Sequence, residues 1–263
     1  MRNYRHIVVF LNLIMVLART VSAAENDTLT WLAIHHDKYT IYYTRSDKDK
    51  VQELENNLAS GYKQVIDFFQ QPFIKKFDVY IFPDRSGLNK QWQKEWNDPA
   101  FQSQCWMIAS GVAHRLDILS PNAWTHDACD HNGNDSMEIR QVIWHELVHV
   151  YHGQYNPDHS FSYIENLDWL VEGIATYISG QLDQKRLQRI KHAIQENKTP
   201  SSLNDFWKGQ DKYGLSGSMV AYLDKLLGRN KFFALLTLTK KQEVLKGLNM
   251  SEEELISNWK KSF

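Results

Sequence analysis

The chain has 263 residues, of which 43% are hydrophobic and 23% are charged, and its formal net charge is −1 at pH 7. This length allows one sizeable core, and the scattered 6 Pro and 12 Gly exclude a fibrous repeat and a disordered composition. The absence of a basic surplus argues against sequence-independent binding of nucleic acids, which depends on clustered Lys and Arg. We therefore expect one globular domain that does not bind DNA or RNA.

The first 23 residues have the pattern of a secretory signal peptide. Basic residues precede a short apolar stretch, residues 7–18, and small residues follow it up to Ala24. The alternative is a membrane anchor, but a span needs about 20 apolar residues and this stretch is shorter. We expect cleavage after Ala23 or Ala24, giving a secreted or periplasmic protein with no stable membrane anchor. Removal of three arginines and no acids from residues 1–23 changes the net charge from −1 to −4.

The two cysteines, Cys105 and Cys129, lie on the same side of the chain's central histidine motif. In an exported protein this pair predicts a single disulfide, and two free thiols are the alternative. A bridge that closes a loop of this length would stabilise the fold by roughly 3 kcal/mol.

Strands and helices alternate in the first part of the mature chain, residues 24–135. Alternating β-branched and aromatic residues predict strands, whereas apolar residues at helical spacing predict helices. The predicted strands are Lys38–Arg45, Lys76–Phe82 and Val112–Leu119, and the predicted helices are Val51–Phe69 and Leu88–Trp96. A polar, turn-rich segment follows from Asn122 to Ser136. This half should contain a small mixed sheet.

The second half, residues 136–263, has helical patterns throughout. A helix is predicted to begin at Met137 and to run through the histidine motif, and Ser251 with Glu254 forms a capping-box pattern before the last helix. The later predicted helices are Leu167–Ser179, Gln184–Glu196, Leu215–Leu227, Lys231–Lys240 and Glu252–Trp259. The fold class is therefore α+β, with a sheet-containing half followed by a mainly helical half.

The histidine motif reads His145-Glu146-Leu147-Val148-His149. On an α-helix, residues four apart lie on the same face about 6 Å apart along the axis, so both imidazoles could share one metal ion. Glu146 lies beside that face, where a carboxylate could reach a water next to the metal. The alternative is a pair of ordinary histidines satisfied by hydrogen bonds, because a five-residue match also occurs by chance.

A third ligand would separate these two interpretations, since catalytic zinc usually has three protein ligands and one open position. Three nearby acids are considered for this role: Glu165, Asp168 and Glu172. Glu172 is the preferred ligand, because Ala175 and Thr176 on the same side of its helix, with Gly173 beside it, are small enough to let that helix approach the histidine helix. Glu165 lies near a presumed loop, and Asp168 could instead hydrogen-bond a ligating histidine.

The sequence HELVH followed by WLVEGIATY resembles the glutamate-zincin metallopeptidases, most closely the peptidase MA-like domains. The resemblance implies a zincin-like fold in which one Zn²⁺ is bound by His145, His149 and Glu172, with Glu146 as general base. It also implies that an edge strand, expected at Val112–Leu119, lines the substrate cleft.

The resemblance implies hydrolysis of a peptide or protein substrate by water that zinc activates. A donor to the transition-state oxyanion would also be needed. Tyr213 is the first candidate by its position in a family-like segment, and the weaker candidates are His126, His131 and His152. Two alternatives use the same residues: a zinc amidase acting on the cell envelope, and a noncatalytic binding module stabilised by metal.

Overall fold

The computed structural model describes residues 29–263, so the expected signal peptide lies outside the described residues. Within this range a five-stranded mixed sheet has the order β1-β2-β3-β5-β4. β2, β3 and β5 are parallel neighbours, and β1 and β4 are antiparallel edge strands. The strands are β1 (Leu32–His35), β2 (Tyr39–Tyr43), β3 (Phe77–Phe82), β4 (Ala109–Val112) and β5 (Arg115–Leu119).

The prediction of a single edge strand over Val112–Leu119 is wrong. Val112 ends β4, residues 113–114 form a turn, and β5 returns antiparallel to β4, between β4 and β3. The strand at the edge is therefore β4, whose sequence Ala-Ser-Gly-Val lacks the β-branched and aromatic alternation that marks β2 and β3. β1 was also missed, because it is only four residues long.

Ten helices accompany the sheet in residues 29–263. They are α1 (Val51–Phe69), α2 (Arg85–Glu95), α3 (Pro121–Asp127), α4 (Ser136–Tyr155), α5 (Asp168–Ile178), α6 (Gln184–Gln195), α7 (Lys212–Leu227), α8 (Arg229–Ala234), α9 (Lys241–Leu248) and α10 (Glu252–Lys261). The α+β class with a helical second half is confirmed. The helix predicted over Lys231–Lys240 is wrong, because α8 ends at Ala234 and α9 begins only at Lys241.

Side-chain caps explain where two of the predicted helices begin. The Asp135 carboxylate accepts hydrogen bonds from the backbone N–H groups of Met137 and Glu138 at the start of α4. The predicted capping box of Ser251 and Glu254 opens α10, with bonds of 3.1 and 2.9 Å. In the segment that looked turn-rich, Pro121 opens the short helix α3.

Helix α4 lies at the centre of the molecule, packed against α1, α5 and strand β4. Most of its second half is buried, including both histidines of the motif. Gly111 allows β4 to approach closely, because a Cβ at this position would lie 2.4 Å from the carbonyl oxygen of Glu146. The edge strand and the histidine motif are therefore in direct contact.

Gly173 does not have the role that its sequence suggested. A Cβ there would lie 2.6 Å from the carbonyl oxygen of Ser216 on α7, so this glycine serves the contact between α5 and α7. The prediction that Gly173 brings the Glu172 helix to the histidine helix is therefore wrong.

The predicted disulfide between Cys105 and Cys129 is confirmed. It joins the segment before β4 to the segment between α3 and α4. No helix within residues 29–263 is long and apolar enough to cross a bilayer.

Candidate metal centre

Helices α4 and α5 bring three potential metal ligands together. The Nε2 atoms of His145 and His149 are 3.1 Å apart, and the Oε2 atom of Glu172 lies 3.2 and 3.6 Å from them, respectively. The two histidines are one turn apart on α4, whereas Glu172 is in the second turn of α5. One ligand atom from each residue thus converges on a common point.

These separations fit a zinc ion. With Zn–N bonds of about 2.0–2.1 Å and Zn–O bonds of about 2.0–2.2 Å, tetrahedral geometry places neighbouring ligand atoms about 3.3–3.5 Å apart. The three observed distances lie within a few tenths of an ångström of that range. Two imidazoles and one carboxylate also form a donor set that catalytic zinc uses, with a fourth position left for water. The site therefore fits zinc in both chemistry and spacing.

The electrostatics of Glu172 favour its ligand form. Burial disfavours the charged carboxylate, but the imidazoles of His149 and His145 outweigh this effect and hold the pKa of Glu172 well below its usual range. Glu172 is therefore an anion at every pH at which the protein would work. A divalent cation bound at this point would stabilise the carboxylate anion further.

Gln181 fixes the orientation of one imidazole. Its side-chain Oε1 accepts a hydrogen bond from Nδ1 of His145 at 2.9 Å. Because that bond places the proton on Nδ1, the lone pair of Nε2 faces Glu172 and is free to bind a metal. Asp168, which was expected to have this role, lines the cleft but makes no hydrogen bond with either histidine. That prediction is wrong, and Gln181 is the residue that sequence reasoning missed.

The second imidazole differs from the first. Nδ1 of His149 is buried and has no hydrogen-bond partner among residues 29–263. The ring of His149 lies 6.1 Å from that of Phe161, which packs at 62° to it. This ring therefore lacks an Nδ1 hydrogen bond of the kind that orients His145, and it has an aromatic contact with Phe161 instead.

Glu146 lines the same cleft as the three converging residues, and its side chain is largely buried. Burial raises the pKa of Glu146 to about 7; the neighbouring Glu172 carboxylate adds to this effect, while His145 opposes it. A carboxyl with a pKa near neutrality can both accept and return a proton, which is the requirement for a general base that later acts as an acid.

Tyr213 also lines the cleft, in the first turn of α7. Its ring centroid lies 6.2 Å from that of His145, and the edge of the ring packs against Trp207 at 4.9 Å. Burial raises the pKa of the phenol, with further contributions from Glu172 and Glu146. The hydroxyl therefore stays protonated at neutral pH, so it can donate a hydrogen bond.

The other candidates occupy different places. His131 lines the cleft, but its ring bonds to Glu138 at 2.7 Å and to the Trp106 carbonyl at 3.2 Å. His126 is exposed on α3, outside the cleft lining. His152 is buried, and burial together with the nearby His149 lowers its pKa to about 3, so it is neutral.

Glu165, the remaining acid considered as a third ligand, does not reach the centre. Its carboxylate lies 3.3 Å from Nζ of Lys240, and its backbone pairs with the segment that precedes α9. Among the three acids considered as a third ligand, Glu172 is the one whose carboxylate meets the two imidazoles.

The converging residues lie in a cleft of about 500 Å³. Strand β4 forms one wall, as an edge strand should, although it is not the strand that was expected there. Aromatic and basic residues from both halves of the chain complete the lining: Trp96, Trp106, Phe161, Trp207 and Lys212. The lining role of these residues has no local sequence signal, because segments far apart in the chain contribute them and tertiary packing brings them together.

No protein-family model matches this chain, and no curated protein matches it. Solved structures similar to it include two of leukotriene A4 hydrolase from Saccharomyces cerevisiae. The first has a TM-score of 0.49 and 15% identity, covering 87% of this chain and 38% of that chain. The second has a TM-score of 0.49 and 16% identity, covering 83% and 35%. The chain thus spans little more than a third of their length, and at this similarity we infer neither family nor function from them.

Proposed function

We propose that this protein is a secreted or periplasmic zinc-dependent peptidase with a zincin-like fold. The observation that supports this proposal best is the convergence of His145, His149 and Glu172 at zinc-ligand distances in a cleft that also holds Glu146. The resemblance of the HELVH and WLVEGIATY segments to the glutamate-zincin motifs also supports it. The substrate is a peptide or protein that lies along β4.

When bound, zinc would supply Lewis-acid activation of water and of the scissile carbonyl. His145, His149 and Glu172 would hold the ion, and Gln181 would keep the first imidazole in the correct tautomer. The Glu146 carboxylate accepts a proton from the attacking water and then transfers it to the departing amine nitrogen. The Tyr213 hydroxyl donates a hydrogen bond to the oxyanion that develops on the carbonyl.

A noncatalytic metal-stabilised module is the less favoured candidate. Structural zinc sites are usually closed by a fourth protein ligand. Here the ligand atoms border a cleft of about 500 Å³, and the carboxylate nearest in sequence, Glu146, is left over as a potential base. An amidase acting on the cell envelope would use the same centre and differ only in the cleft walls.

The decisive experiment combines metal analysis with digestion of a peptide library. Glu146→Gln should keep stoichiometric zinc and lose at least about a hundredfold in rate, because only the base is removed. Glu172→Ala should lose zinc and activity together, because it removes one of three ligands. Glu165→Gln is the matched control, since this exposed acid pairs with Lys240, outside the cleft.

Three outcomes would contradict the proposal. Zinc bound to the Glu172→Ala protein with wild-type affinity would reject the ligand set. Undiminished hydrolysis by the Glu146→Gln protein would reject the mechanism. A zinc-loaded wild-type protein that cleaves no peptide would leave the amidase as the remaining hydrolase candidate.

A further inference from the structure

A lysine lies among three aromatic rings at the rim of the cleft. Nζ of Lys212 is 4.5 Å from the ring centroid of Trp207, 4.6 Å from that of Trp106 and 5.3 Å from that of Tyr213. Lys212 and Trp207 belong to the helical half of the chain, whereas Trp106 belongs to the segment before β4. We call Trp106, Lys212 and Trp207 the rim cluster. It connects the two halves of the chain at the cleft that holds the metal centre.

The charge of Lys212 has no counter-ion within residues 29–263. The adjacent Asp211 pairs with Arg189 instead, and no carboxylate of the described chain forms an ion pair with Lys212. Lys212 also lies in the first turn of α7, where the helix dipole disfavours a positive charge. Aromatic faces attract the ammonium group but do not neutralise it. An anionic ligand would satisfy the lysine where the protein does not.

Several hydrogen bonds fix Trp106, the aromatic residue of the rim cluster that comes from the segment before β4. The Trp106 indole N–H donates to Oε1 of Gln104 at 2.7 Å, and Nε2 of His131 donates to the Trp106 carbonyl at 3.2 Å. Arg85 donates to the carbonyls on both sides of it, that of Cys105 at 2.9 Å and that of Met107 at 2.8 Å.

Despite these bonds, 43% of the Trp106 residue surface is exposed. Indoles held in place and left open to solvent are characteristic of surfaces that bind ligands. The two tryptophans could thus provide apolar contacts on either side of the group that Lys212 binds.

We infer that the rim cluster is a specificity subsite that selects substrates carrying a carboxylate away from the scissile bond. This inference rests on the proposed peptidase function and adds the substrate class. Lys212 is the one Lys or Arg among the described residues that line the cleft, so it is where a carboxylate away from the metal centre would be accepted. The carboxylate is either the C-terminus of the peptide or the side chain of Asp or Glu.

Affinity selection with the zinc-loaded Glu146→Gln protein tests the subsite without turnover. The probe is a pool of decapeptides in which Glu is exchanged for Gln position by position and each C-terminus is either free or amidated. Mass spectrometry of the retained peptides should show about tenfold enrichment of carboxylate forms over their neutral counterparts, as expected for one charge-assisted contact. Enrichment of free C-termini or of Glu-containing peptides identifies the source of the carboxylate.

Three second substitutions in the Glu146→Gln protein make the test specific. Lys212→Gln should abolish the enrichment, and Lys212→Arg should keep most of it. Lys208→Gln should leave the enrichment unchanged. This substitution removes the same charge nearby, but Lys208 pairs with Asp205 and does not line the cleft.

Equal retention of carboxylate and neutral peptides, no retention of any peptide, or a preference that survives Lys212→Gln would overturn the inference. Failure of the peptidase proposal gives a different result. If the wild-type protein cleaves no peptide while carboxylate selection through Lys212 persists, the peptidase is rejected and the subsite stands. If the wild-type protein cleaves carboxylate and neutral peptides at equal rates and the binding arm shows no selection, only the subsite is rejected.

Discussion

Gln181 should control the metal affinity of a centre that it does not itself ligate. Its Oε1 accepts a hydrogen bond from Nδ1 of His145 at 2.9 Å and so holds the other ring nitrogen towards Glu172. The substitution Gln181→Leu has nearly the same size and removes the acceptor. The imidazole would then be free to rotate and to change its tautomer, so part of its basicity and orientation at the metal is lost.

The expected magnitude follows from the role of such hydrogen bonds in metal sites. Removing a partner of a ligating histidine weakens metal binding by about 10- to 100-fold, which corresponds to about 1.4–2.7 kcal/mol. The fold around the residue should persist, because the backbone carbonyl of Gln181 accepts a separate hydrogen bond from Arg186 at 2.8 Å. We therefore expect a lower zinc affinity with little change in the thermal unfolding of the metal-free protein.

Competition for zinc against a chelating dye measures this change directly. Gln181→Glu restores an acceptor and should bind zinc within a few-fold of the wild-type protein. Gln141→Leu is the matched control, because its Nε2 donates to the carbonyl of Gly180, next to Gln181, without touching an imidazole. An unchanged zinc affinity in Gln181→Leu would refute the positioning role. An equal loss of zinc affinity in Gln141→Leu would assign the effect to the loop between α5 and α6 and not to the hydrogen bond with His145.

Two further predictions concern stability. Hydrogen bonds, including one of 2.8 Å from Lys241, outweigh burial and lower the pKa of Glu252. The ionised carboxylate therefore stabilises the fold above the unfolded-state pKa of about 4.3, and this stabilisation is lost as the pH falls through the lower pKa of the folded state. Glu252→Gln should therefore lower the free energy of unfolding at pH 7 by about 1 kcal/mol, since the pair is partly exposed, and by progressively less in urea titrations as the pH falls below about 4.3; a pH-independent difference contradicts this. Gly173→Ala should destabilise by about 1–3 kcal/mol, because its Cβ would meet the Ser216 carbonyl, whereas Gly247→Ala has open space and should be neutral or stabilising in thermal unfolding.

The parts of the fold that were predictable depend on neighbours along the chain. The spacing of apolar residues indicated α1 with its observed bounds, and alternation indicated β2 and β3. The short strands β1 and β4 carry too few residues for a pattern to be recognised. α9 was missed for a different reason. A tight turn at Leu235–Thr237 and the N-cap at Lys240 separate it from α8, and neither changes the spacing of apolar residues.

The sequence by itself determined the core of the candidate site. Helical geometry places His145 beside His149 whatever surrounds them, and the acid of the WLVEG segment was selected from three by its sequence context. Tertiary structure decided the rest: that Glu172 lies 3.2 Å from His145, that Gln181 replaces Asp168 as its partner, and that Trp106 meets Lys212. These contacts join elements far apart in the chain. The packing of whole helices and strands determines these contacts, and the local spacing of residue types does not predict that packing.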